Sequence, residues 1–358
     1  MYSLTPGFRV PALQRGLSPA EMLLTKANAG VGGAVLMSAL ITPPPAWTFG
    51  AVGVGAALLN FAPGPRSIAR WATVGYRRLR ERTAPDSMAA AAGATATWTL
   101  YPGHGTMQDA YARAAFHNDF SRALVFASSQ ARNAGVQVHV THHARLGDYT
   151  DHAQTISVHV PKGLVGQPDR VLETLAGEFA TLGALTQVEP EPVPAVTEQG
   201  PGWVALDDGR YAATARITTW PHESDGDLMP KLLLGPAADD RSLAVLYRPL
   251  PAGQSRRSAK WQSAASEAFT TDKVKADTHG LANATTHGAL VDGSTLVDVD
   301  AYLTVWADSS EAVTDARWQT VLLADRHRIR LDWLTGQQHR AYVMTTPHGA
   351  STRKGAVL

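Results

Sequence analysis

Six side chains that can bind a metal or move a proton crowd one short stretch of this chain: His139, His142, His143, Asp148, Asp151 and His152, with His159 close behind. Imidazole and carboxylate groups at such spacing can hold Zn²⁺ or another divalent ion. A hydrolytic centre would need three of them and an open position for water. The same pattern suits a polar hairpin with its imidazoles on the solvent face, and thirteen histidines are scattered along the chain. The expectation is therefore no metal and no cofactor. The alternative reading is a membrane-tethered metal-dependent enzyme using His139, His142, His143, Asp148 and His152. Other chemistry is sparse. The sequence has no P-loop, no H-E-x-x-H, no G-x-S-x-G and no kinase signature. Gly103-His104-Gly105-Thr106 reads as a turn before a helix, Asp298 and Asp300 as the wet face of a strand. No cysteine is present, which excludes disulfides, thiolate metal sites and a Cys nucleophile. No nucleophile, acid/base pair or oxyanion arrangement stands out, so the chain is read as a non-enzyme.

The elements that would position these groups follow from hydrophobic period. Residues 136–140 alternate as a strand and place His139 on it; residues 155–160 form a second strand, ending near His159. Residues 107–134 read as a long helix ahead of them. Asp169 starts another helix, running to residue 185, whose Val171, Leu172, Leu175, Phe179 and Leu182 share one face. Further along, strands are expected at 211–220, 242–247, 296–306 and 328–333, and helices at 227–234, 255–288 and 309–323. Strand and helix alternate, so the fold class is α+β, an α/β sandwich of ferredoxin-like type. Most of the tryptophans in this part read as core or edge cover, with one or two left as exposed interface anchors.

Ahead of it lies a different kind of sequence. No charged residue occurs between Lys26 and Arg66, and Pro43-Pro44-Pro45 is the only break. Residues 27–42 and 46–62 read as a two-helix transmembrane hairpin, each span slightly short of the roughly 20 residues that cross a bilayer. Arg66, Arg70, Arg77, Arg78, Arg80 and Arg82 follow, interleaved with Trp71 and Tyr76, as an amphipathic membrane-interface helix. Arg9, Arg15 and Lys26 precede the first span, so the positive-inside rule puts both termini in the cytoplasm of a multi-pass plasma (inner) membrane protein. Residues 1–86 carry a net charge of +6 and the remainder −5. That balance makes the bilayer a partner and argues against nucleic acid as a partner of the soluble part. The organisation expected is a cytoplasmic segment 1–26, the hairpin 27–62, an Arg-rich helix and Ala-rich connector 63–97, a first α/β subdomain 98–186, a linker 187–201, a second subdomain 202–347 and a tail 348–358.

Several of these stretches resemble a known family. They are Gly202-Trp203, Asp208-Gly209-Arg210-Tyr211, Thr219-Trp220-Pro221, the strand ending at Trp306, and the tail Gly336-Gln337-Gln338 with Met344-Thr345-Thr346-Pro347-His348-Gly349. Together with the layout of two spans, an Arg-rich segment and a soluble α/β part, they look like the EccE component of actinobacterial type VII secretion systems. They are similar, too, to the two-helix membrane proteins of actinobacterial conjugative (type IV-like) elements. The likeness covers most of the chain by layout but only the quoted stretches by motif, none of them catalytic. Thr346 stands where the family usually has Leu before its proline. The resemblance implies a structural subunit of an inner-membrane translocation complex that packs on other cytoplasmic subunits, with a separate ATPase on another chain.

Overall fold

A computed structural model describes residues 93–103, 105–106, 109–129, 136–146, 150–161, 167–189, 193–221, 228–234, 240–251, 253–256 and 293–347, with residues 35, 47–51, 53, 54, 259, 288, 290 and 291. The chain divides into two compact units, one of residues 85–334 and 338–358 with 1–6, the other of residues 7–84 with 335–337.

The larger unit is α+β and is built on one antiparallel sheet of ten strands. Its first half runs β1 (Gly93–Pro102), α1 (Ala110–Ser129), β2 (Gln137–Leu146), β3 (Thr150–Pro161), α2 (Pro168–Phe179) and, after a short 3₁₀ turn, β4 (Gly183–Gln187). These strands lie in the order β4-β1-β3-β2. After the short strands β5 (Val196–Gln199) and β6 (Val204–Leu206), the second half repeats the arrangement. It runs β7 (Tyr211–Thr219), α3 (Leu228–Leu234), β8 (Arg241–Pro249), β9 (Val297–Ala307), α4 (Ser310–Arg326), β10 (Arg330–Trp333) and a final α5 (Gln338–Val343). Here the pairings are β10 with β7, β7 with β9 and β9 with β8. The two halves are therefore both β-α-β-β-α-β, with the same strand order counted from opposite ends. They meet where β2 pairs with β8, from Val138 opposite Tyr247 to Ala144 opposite Arg241. Residues 98–186 and 202–347 thus share one sheet.

Side-chain alternation along the strands sends the apolar residues to one face, where the helices sit. In the first half Trp98, Leu100, Val138, Val140, Ile156, Val158 and Val160 pack on Ala123, Leu124 and Ala127 of α1 and on Val171, Leu172, Leu175 and Phe179 of α2. In the second, Leu243, Val245, Ala301 and Leu303 pack on Leu232 and Leu233 of α3 and Ala324 of α4, and Ala213 and Val305 on Val313 and Ala316 of α4. Tyr247 packs against both cores and meets Phe120 edge-on at 5.1 Å. The opposite face has no long helix among the described residues. Across it lies α5, tied by Gln338, which accepts from the Thr214 amide at 2.8 Å and donates to its carbonyl at 3.0 Å.

The sequence reading holds for the α+β class but needs revision at several points. The segment 63–97, read as Arg-rich helix and Ala-rich connector, contains the start of β1. The helix expected to run to residue 185 stops at Phe179, because Gly183, at φ +158°, turns the chain into β4. The stretch assigned as a linker, 187–201, contributes β5. Of the helix expected over 255–288, most lies outside the described residues.

The localisation expected from the hairpin, a multi-pass protein of the inner membrane, is overturned: among the described residues no helix is long and apolar enough to cross a membrane. α1, at 20 residues, has the length, but it carries Arg113, His117, Asp119 and Arg122, whose burial in hydrocarbon is costly. Most of the two spans, 27–42 and 46–62, lies outside the described residues. In the smaller unit, residues 47–51, 53 and 54 are helical and Trp47, Phe49 and Val54 are exposed. Arg66, Arg70, Trp71, Tyr76, Arg77, Arg78, Arg80 and Arg82 also lie outside the described residues.

Candidate functional site

The histidine-rich stretch forms the β2–β3 hairpin, and the period of two divides it. His139 and His143 point to the face crossed by α5, as does His159 on β3. His142 and His152 point to the helix-covered face. Asp148 lies outside the described residues, and among those described no group of three His, Asp or Glu could hold a metal ion. A sheet thus stands between the ligands that the sequence placed side by side.

Each imidazole instead has its own local partner. His139 is fully buried, and its Nε2 donates to the Met344 carbonyl at 2.8 Å, fastening the segment after α5 to the first half. Nδ1 of His159 lies 2.8 Å from the Thr95 hydroxyl. On the helix face the His142 and His152 rings lie nearly parallel, 5.4 Å between centroids, with Nδ1 of one 3.2 Å from Nε2 of the other. An N–H···N bond needs at least one ring neutral, since the accepting nitrogen must carry no proton. Burial first, and then the charge that His152 would bring, push the His142 pKa down to about 3. Burial alone also lowers His159.

His143 makes the contact closest in form to a catalytic pair. Its Nδ1 is 2.7 Å from Oγ of Ser242 on β8, and Nε1 of Trp306 on β9 donates to the same oxygen at 2.9 Å. Burial lowers the His143 pKa, opposed by the charge of Asp240. A nucleophilic serine must be reached by a substrate carbonyl, yet Ser242 is only 1 % exposed and its oxygen already accepts from the indole. The Trp306 ring is boxed in by His143 and Tyr342 edge-on and by the Arg210 guanidinium 4.7 Å above it. This constellation knits β2, β8, β9 and α5 together.

Asp298 and Asp300 also differ from expectation. Both lie on the face opposite the helices, but Asp300 is buried. It accepts from Arg216 of β7 and from Arg248 of β8, the latter at 2.8 Å, and Arg248 also donates to Asp298 at 2.8 Å. Their alternation with Val297 and Val299 was legible in the sequence. The covering arginines come from neighbouring strands and were not.

The helix side also leaves large apolar side chains in solvent. Trp98 and Trp306 are buried and Trp203, Trp220 and Trp333 partly so, whereas Trp318 on α4 is 65 % exposed, with Leu322 one turn on at 44 %. α4 is capped by Ser309, whose side chain accepts from the Ala312 amide at 3.1 Å. Val313, Ala316, Thr320 and Ala324 are its buried stripe. Trp318 and Leu322 fall on the opposite stripe, where nothing in the fold requires an apolar side chain. No protein family model and no curated protein matches the chain.

Proposed function

We propose that this chain is a non-enzymatic structural subunit of a secretion or conjugation translocation complex, and that its sheet domain packs on other subunits while a separate chain supplies the ATPase. We read its two halves as ferredoxin-like units fused edge to edge. The observation that carries the proposal is the distribution of reactive and apolar groups. His139, His143, Ser242, Asp300, Arg216 and Arg248 are turned into mutual contacts inside the unit, while an indole and a leucine stand in solvent on α4. Buried polar groups bonded to one another help to specify a rigid fold, and Trp is among the side chains most enriched in interface hot spots. The resemblance to EccE-type and conjugative-element proteins agrees with this assignment.

The test is gentle extraction of the tagged full chain from its native host, followed by sizing and mass spectrometry. A large particle containing a secretion or conjugation ATPase is the expected result. A small monodisperse particle with no partner would reject the reading.

A further inference from the structure

The exposed stripe of α4 has a composition that names a partner. Reading down the helix at spacings of four, three and four, it presents Glu311, Asp315, Trp318 and Leu322, with Asp325 and Arg326 beyond. The two carboxylates at its amino-terminal end are exposed, and neither takes part in an ion pair among the described residues. Asp308 extends the acidic end by one turn, and Arg326 and Arg328 mark the other end. Glu311, in the first turn, also favours the helix dipole. Asp315, a turn further in, gains little from it, and Trp318 contributes nothing to the buried core. Beside α4, α3 leaves Met229 and Leu234 exposed as well.

From this we infer that the outer face of α4 is a docking surface for an amphipathic helix of another subunit, with Lys or Arg on the end that lies over Glu311 and Asp315. The inference rests on the assembly reading above and specifies one of its contacts. An amphipathic helix places apolar residues at i, i+3, i+4 and i+7, which can straddle the Trp318–Leu322 ridge. Its basic end would pair with two carboxylates that have no ion-pair partner among the described residues. The acidic end repels the phosphates of nucleic acid and of anionic lipid, so neither is the occupant. The indole supplies a large, stiff contact at little conformational cost, and the charges set orientation and salt dependence.

The experiment places a photo-reactive phenylalanine analogue at position 322 of the full chain in its native host, with Trp318 intact. After irradiation, the adduct is isolated and the linked peptide sequenced. The expected adduct is a protein segment with helical apolar spacing and Lys or Arg clustered at one end. Trp318→Ala, or the double variant Glu311→Lys with Asp315→Lys, should cut its yield at least tenfold. A nucleic-acid or lipid adduct, an acidic peptide, or a yield unmoved by both variants would overturn the inference. All three substituted positions are exposed, so circular dichroism of each variant should match the parent. Copurification of the parent chain is scored in parallel. A large particle without the expected adduct refutes this docking surface alone, whereas a lone small particle refutes the assembly reading itself.

Discussion

Lowering the pH should weaken the larger unit through one identifiable ring. His142 is buried under the helices, and its nearest titratable neighbour is another imidazole, with which it shares one N–H···N bond. Its folded pKa, about 3, lies below the ordinary 6.5. The unfolded chain therefore takes up the proton first. The stability contributed by burying the neutral ring is fully present above pH 6.5 and is lost as pH falls from there toward 3. For one group with these two values, linkage gives a loss of about 2 kcal/mol between pH 7 and pH 5, rising to about 4 kcal/mol at pH 3. Urea unfolding of the parent chain and of His142→Leu, each at pH 7 and pH 5, isolates the effect. Leucine fits an apolar surround that already includes Leu243, the cross-strand neighbour, and it cannot titrate. The parent should lose about 2 kcal/mol more than the variant over that interval. Equal losses in the two proteins would show that His142 does not enter the folded state neutral and uncompensated, and the argument for the stacked pair would fail.

Two further outcomes test the packing. Asp300→Asn removes the carboxylate shared by Arg216 and Arg248. Because it takes that counter-charge from Arg216 and leaves Arg248 with Asp298, it should cost about 3–5 kcal/mol in chemical denaturation; a loss below 1 kcal/mol would mean that solvent and Asp298 already neutralise the two cations. Gly183→Ala should cost about 1–3 kcal/mol, since a Cβ there would stand 2.2 Å from the Tyr101 carbonyl oxygen at a φ of +158°. An unchanged melting temperature would show that β4 contributes little to the fold.

The alternating strands and the α+β class were legible because Val, Leu and Ile mark one face of β2, β3, β8 and β9 with a period of two. β1 was harder to see. Its inward residues begin with Ala94 and Ala96, too small to register as a hydrophobic stripe, although Thr95, Thr97 and Thr99 alternate with them. β4 was absorbed into the preceding helix because Leu182 and Leu185 continue the helical spacing, and only Gly183 signals the turn. The same period of two could have separated the histidines: positions 139 and 143 differ from 142 by odd numbers, and one ladder cannot bring them to one metal. The clasp over Trp306, the arginines over Asp300 and the crossing of α5 link residues tens to hundreds of positions apart, beyond the reach of local pattern. The exposed Trp318 lay among several equivalent tryptophans, and only the helix phase set by Val313, Ala316 and Thr320 turns it outward.

The edge-to-edge junction of the two halves also sets how the molecule bears load. Between β2 and β8, seven residue pairs lie in unbroken register, and the Tyr247 ring belongs to the cores on both sides. Tension applied along the strands would strain all seven pairs together, whereas tension across them would open the seam one pair at a time. A push or pull applied at α4 would therefore pass through the sheet to the far helices, provided it acts lengthwise. The sheet would give way most readily to a sideways force at the Ala144–Arg241 end or the Val138–Tyr247 end.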